Sequence, residues 1–259
     1  MRSVLTHSLA FALLLLFGCV IGPLEKPAYE EIQSGQAAIQ LTDIEASLGQ
    51  GLAIGILGGF RTIIADFLWL RLNTYWEERD RAKVTTLISL VTTLDPGPVF
   101  FWMNAARITA YDMPNWRIRE EGGYEKVPES RWRAIDQEQA NIAFDLLEQA
   151  LHYHSEDPAI YLEIGQIHLN RLQSPEGAAP WFLRASKLPD APFYAARIYA
   201  DLLCRMGREP EAYAFLKALY PKLPADNPFA QRPIVLERIS TLEMELGVPA
   251  GLRFRPLQP

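Results

Sequence analysis

The sequence predicts an all-α fold arranged as a stack of helical hairpins, and three observations point there. From about residue 46 onward apolar residues recur at helical spacing, while alternating, strand-like patterns are scarce. Proline–aspartate punctuation recurs at Asp95-Pro96, Asp157-Pro158, Pro189-Asp190 and Pro224-Ala225-Asp226, the last three about one helical hairpin apart. Small residues inside the helical runs (Gly165, Gly177, Ala200, Ala212) let two helix backbones approach closely, and large ones (Trp181, Leu216) follow to fill the next gap. With 259 residues, 49% hydrophobic and 22% charged, the chain can bury a sizeable core and is neither disordered nor collagen-like. A net charge of −6 argues against a nucleic-acid partner, which requires a basic face to displace phosphate counterions. Two cysteines, Cys19 and Cys204, exclude a disulfide framework and a cysteine-rich zinc site.

Taken in order, residues 1–18 are expected to be a signal peptide or membrane anchor. Arg2 precedes an apolar run, Leu9 to Phe17, of secretory length and short of the ~20 apolar residues that span a bilayer. The sequence Leu16-Phe17-Gly18-Cys19 resembles the lipobox of bacterial lipoproteins, with Phe17 where a small residue is usual. That resemblance implies lipidation of Cys19; an uncleaved anchor, ordinary secretion and a misread hydrophobic start are the other readings. The first two hold the chain on a membrane, and the expected location is a bacterial cell envelope, membrane-anchored and facing the periplasm or exterior. Residues 19–45, with Pro23 and Pro27, are expected to be a tether, and 46–248 the helical domain.

Within that domain, Phe60 to Trp76 is apolar nearly all round, so this helix should be buried by its own chain or docked on a membrane or partner. A first hairpin, Ala65 to Pro96, carries Leu68, Leu72, Tyr75, Ile88 and Val91 on its inner faces. A second pairs Trp102, Ala105 and Ala106 with Ala143, Leu147 and Ala150, around an insertion at 113–135. The insertion has balanced charges, Trp116 and Trp132, and no pattern of its own, which suggests a lid or a second contact surface. Two further hairpins follow, then a closing helix from Pro233 to Leu246 and a tail at 249–259.

The third hairpin reads Tyr161-x-x-Ile164-Gly165-x-x-His168, then Gly177-x-x-x-Trp181 and Pro189. The fourth reads Tyr199-Ala200-x-x-Leu203, then Gly207 to Ala212, Leu216, Leu219 and Pro224. Both resemble the tetratricopeptide repeat (TPR). The start of the chain, Gly58-Gly59-Phe60-Arg61, Ala65 to Arg71 and Tyr111-Asp112-Met113-Pro114 are also similar to exported, membrane-anchored bacterial TPR-like proteins. The resemblance implies an α-solenoid of TPR-like hairpins, specific over 158–224 and looser before it. It further implies a groove lined by the first helix of each hairpin, where an extended or helical peptide binds. Projected here, the first hairpin would contribute Asp66, Trp69, Asn73 and Trp76, and the second Phe100, Met103, Asn104, Arg107 and Tyr111. The third would contribute Leu162, Gln166 and Asn170, and the fourth Tyr194, Arg197, Asp201 and Arg205. This aromatic and arginine mixture suits a protein ligand, so a scaffold or adaptor for an envelope protein is the expected role.

No catalytic constellation stands out, and no enzyme, cofactor or metal is expected. Gly49-x-Gly51-x-x-x-Gly55 lacks the preceding strand and spacing of a dinucleotide loop. His152 and His154, with Glu156 and Asp157, have metal-ligand chemistry, but residues two apart do not share a helix face. They read better as a helix C-terminus. His168 takes the place of a packing aromatic, and Cys204, beside Arg205 alone, reads as a structural thiol. A ligand- or metal-binding, possibly enzymatic, protein on the same hairpins and a self-associating lipoprotein remain the alternatives.

Overall fold

A computed structural model describes residues 59–256. The expected signal or anchor, the tether with Cys19, and the part of the helical domain before residue 59 lie outside the described residues. The chain divides into two units, Met1–Ile64 and Ala65–Pro259. Of the first, Gly59 is in the left-handed region (φ 87°) and the Phe60 carbonyl accepts from the Ile64 amide, opening a helix.

The second unit is helical throughout, with no strand among the described residues. Its elements are α1 (Arg61–Glu77, begun in the first unit), α2 (Arg81–Leu94), α3 (Val99–Arg107), α4 (Met113–Glu120) and α5 (Glu129–Tyr153). They continue as α6 (Pro158–Asn170), α7 (Pro175–Ala185), α8 (Tyr194–Arg205), α9 (Glu209–Leu219) and α10 (Arg232–Glu245). Side-chain caps start several of them: Asp80 accepts from the Lys83 amide, Asp157 from Ala159 and Ser174 from Gly177. Of the punctuating prolines Pro158 sits in the first turn of α6, as Pro175 and Pro210 do in α7 and α9, where a missing N–H costs nothing, while Pro96, Pro189 and Pro224 lie in the connectors.

Helices pack on their neighbours along the chain. Trp102, Ala106 and Ala110 meet Ala140, Ala143, Leu147 and Ala150 of α5 and Ile160, Ile164 and Ile167 of α6 in one buried cluster. Tyr161 and Leu162 then pack with Ala178, Phe182 and Ala185 of α7 and Ala195 and Leu202 of α8. A third cluster joins Ala200 and Leu203, Ala212 and Leu216, and Val235, Ile239 and Leu242 of α10. The small residues act differently from expectation in the third hairpin. Gly165 lies under the Phe182 ring, where an added Cβ would be 2.9 Å from Cε2, and Gly177 lies against His168, where it would be 2.5 Å from Nδ1. Each glycine is therefore matched to a ring on the facing helix rather than to the other glycine.

The patternless insertion at 113–135 is corrected by the structure. After α3 the chain makes a five-residue π-helical stretch, Ile108–Asp112, and continues as α4; α5 already begins at Glu129. Only 121–128 is connector, so the second hairpin is simply long. The π stretch suits Pro114, which has no N–H to give and would clash with a carbonyl one α-turn back; Met113 N–H reaches Ile108 O instead. At the tip, Ile118, Val127 and Ile135 pack with Trp132. Arg117–Glu138, Arg131–Glu121 and Arg81–Glu120 ion pairs tie the surface.

Helix α1 buries one face only. Ala65, Leu68, Trp69 and Leu72 are inside, whereas Phe67 is 61% and Leu70 65% exposed. At the other end, the tail is fastened: Phe254 N–H donates to buried Glu243, which also accepts from the Tyr213 hydroxyl, and the Phe254 ring stands edge-on to Tyr220.

Candidate functional site

Helical spacing puts Trp69, Asn73 and Trp76 on one stripe of α1. The same spacing puts Phe100, Asn104 and Arg107 on one stripe of α3, continued by Ile108 at the start of the π stretch. With Asp112 these residues line a single open cleft of about 390 Å³. Its floor is rigid. Trp69 packs edge-to-face on Phe100 at 5.6 Å between centroids and lies 5.3 Å from Phe101. The far wall is fixed by Trp76, whose indole N–H donates to Asp112 Oδ2 at 3.0 Å and whose ring meets Trp116 at 6.3 Å.

Arg107 is anchored from below. Its Nε and Nη2 both donate to Glu163 Oε2, at 2.9 and 2.7 Å, where the Glu163 side chain is 3% and that of Arg107 53% exposed. This hydrogen-bonded partner raises the Arg107 pKa further above its ordinary value. Tyr111 is pushed up by burial first and by Glu163 second, so it stays a neutral phenol. Beside it, Arg171 Nη2 lies 2.6 Å from Asp136 Oδ1 without hydrogen-bond alignment, and burial holds Asp136 above the usual carboxylate value despite that cation. The polar seam between the second and third hairpins is thus made of two ion pairs whose carboxylates are buried.

The cleft offers apolar rings for a side chain and open polar edges for a main chain. Among the described residues Asn73 makes no side-chain hydrogen bond. Asn104 Nδ2 donates to the Phe100 carbonyl at 2.8 Å and leaves its Oδ1 open. A second cleft, also about 390 Å³, adjoins across Trp76 and Asp112 and is lined further by Glu77, Arg79, Asn115, Trp116 and Arg119.

Six of the sequence-derived groove residues therefore converge: Trp69, Asn73, Trp76, Phe100, Asn104 and Arg107. Two are corrected. Met103 lies in the core between Trp102 and Ala106, and Leu162 sits in a run from Ile160 to Gly165 that is buried on every side. The α6 helix is covered by α5 on one side and α7 on the other, so its first two turns have no outward face. Asp66 is exposed but outside the clefts, and Tyr111 packs against the core cluster. Gln166 and Asn170 do not line either cleft. On α8, Asp201 and Arg205 pair with each other at 2.8 Å, Arg197 Nη1 turns to the Ala230 carbonyl, and Tyr194 is exposed.

Sequence reasoning missed Ile108, Asp112 and the α4 side of the second cleft. The clue was helical phase running on from Phe100 through Asp112, which Pro114 obscured. No group of three or more His, Cys, Asp and Glu side chains that could hold a metal occurs among the described residues. His154 closes α5, its N–H donating to the Ala150 carbonyl. His168 stacks on Phe144 at 4.4 Å, and burial lowers its pKa. Among the described residues no helix is long and apolar enough to cross a membrane. Comparison with models of known protein families and with curated proteins finds no match for this chain.

Proposed function

We propose that this chain is a membrane-tethered scaffold: an α-solenoid of TPR-like hairpins, carried on an exported N-terminus, that grips a polypeptide in the α1/α3 cleft. The observation that carries the reading is the convergence of Trp69, Asn73, Trp76, Phe100, Asn104 and Arg107 on one open cleft. The packing of α3 and α4 on α5, α6 on α7 and α8 on α9, closed by α10, supports the repeat. So do the tight glycine-to-ring matches of the third hairpin. An aromatic floor with amide edges is chemistry that holds a peptide's side chain and its main chain together. Tethering adds to this by raising the local concentration of groove and partner at one surface.

The test is photo-crosslinking in the native cell. A photoreactive phenylalanine analogue is placed at Asn73 or Asn104 and, as controls, at exposed Ala82 or Gln149. The proposal expects a discrete polypeptide adduct from the cleft positions and none from the controls. Adducts equal at all four positions, or absent at all, count against it. Mass spectrometry of the mature N-terminus separately tests the tether: an acylated Cys19 or an intact residue 1 supports it, and a free N-terminus downstream overturns it.

A further inference from the structure

The second cleft has a chemistry different from the first. Its centre is Trp76, 40% exposed, with the indole N–H already committed to Asp112 and the ring braced edge-on by Trp116. A tryptophan whose one donor is used can offer a ligand only its hydrocarbon face. The cleft is lined also by Arg79 and Arg119, which carry guanidiniums, and by Glu77 and Asp112, which carry carboxylates. Among the described residues neither arginine side chain is in an ion pair or hydrogen bond, and neither is Glu77.

The neighbouring charges are not in this state. Arg81, Arg117 and Arg131 are each paired with a glutamate. The cleft thus holds charges of both signs that the fold has not neutralised locally, and they sum to zero. Arg79 sharpens the point. It closes α1 in the left-handed conformation (φ 58°), with the Asp80 amide donating to the Tyr75 carbonyl, a place where glycine is unstrained.

A purely acidic or purely basic ligand satisfies half of these groups and opposes the rest. A neutral polyhydroxylated ligand satisfies all of them. Each hydroxyl donates and accepts, neighbouring hydroxyls match the two-pronged edges of carboxylate and guanidinium, and the C–H face of a sugar ring stacks on an indole. We propose that the Trp76/Arg79/Arg119 cleft is a saccharide-binding site for a neutral oligosaccharide. This does not depend on the polypeptide reading of the adjoining cleft.

Titration calorimetry tests it on the full chain in a polyoxyethylene detergent, which carries no sugar headgroup. The probes are cellotriose, N,N′,N″-triacetylchitotriose and, as competitor class, a glutamate-rich decapeptide. Saturable binding of at least one oligosaccharide, with a dissociation constant at or below about 1 mM, is the expected result. Trp76→Ala should weaken it about tenfold or more, and Arg119→Gln about threefold or more, since stacking and a two-pronged contact are each lost. Trp76→Phe keeps a ring face and should stay within about threefold of wild type, a pattern that mere misfolding cannot give. Circular dichroism checks that the variants fold. No saturable sugar binding up to about 10 mM overturns the proposal. So does sugar binding indifferent to Trp76→Ala, or Trp76-dependent binding of the acidic peptide alone.

Discussion

Replacing Gly165 by alanine puts two opposing effects in competition, and the structure decides between them. In an exposed helix the change stabilises by about 1 kcal/mol, because glycine is the poorer helix former. Here the new Cβ would lie 2.9 and 3.0 Å from Phe182 Cε2 and Cδ2 and 3.4 Å from Trp181 Cβ. The Phe182 ring is fully buried against α6 and α8, so it cannot swing away. Overpacking of this kind costs about 1–3 kcal/mol, so Gly165→Ala should be destabilising by about 1 kcal/mol net. Urea unfolding followed by circular dichroism measures it, with Ala214→Gly on the exposed face of α9 calibrating the propensity effect in this protein. In a Phe182→Leu background the smaller side chain makes room, and the same alanine should lose most of its penalty, a coupling of about 1–2 kcal/mol. If Gly165→Ala is instead stabilising, with no coupling to Phe182, then α6 and α7 do not cross as closely as argued.

Three other perturbations have worked-out signs. Arg107→Ala leaves the buried Glu163 carboxylate without its cation and should cost about 1–3 kcal/mol, less than a fully buried pair because Arg107 is half exposed; Arg107→Ala with Glu163→Gln should recover most of it in the same urea assay. Burial lowers the His168 pKa below its unfolded value of about 6.5, so the unfolded chain binds this proton first; the stability it contributes is present above pH 6.5 and falls as pH drops below that value. Melting curves between pH 7.5 and 5.5 should therefore slope less in His168→Phe than in wild type. Phe254→Ala should loosen the tail from Tyr220 and lower stability by about 1–2 kcal/mol, the half-buried share of a phenylalanine truncation, with faster amide exchange in α10.

The parts of this molecule legible in the sequence are those where local chemistry and packing agree. The third hairpin announced itself because Gly165, His168, Gly177 and Trp181 each answer one local steric demand at a fixed spacing, although the partner of each glycine was invisible without coordinates. The cleft was legible because Trp69, Asn73 and Trp76, like Phe100, Asn104 and Arg107, follow one helical stripe. Met103 and Leu162 were misplaced because a helix covered on two sides has no free face, and coverage is a tertiary property that periodicity does not carry. The long second hairpin was hidden by Pro114, whose local message is to stop, overruled here by a π stretch that absorbs the missing N–H. Asp112 and the α4 side of the furrow were lost with it.

Whether the α1/α3 cleft grips polypeptide can be measured by panning a random peptide library against the full chain and titrating the enriched peptides. They should bind wild type and weaken about tenfold or more in an Asn73→Ala, Phe100→Ala, Asn104→Ala variant that keeps its helical spectrum. Peptides that bind wild type and this variant equally well, or a library that yields none, would contradict it.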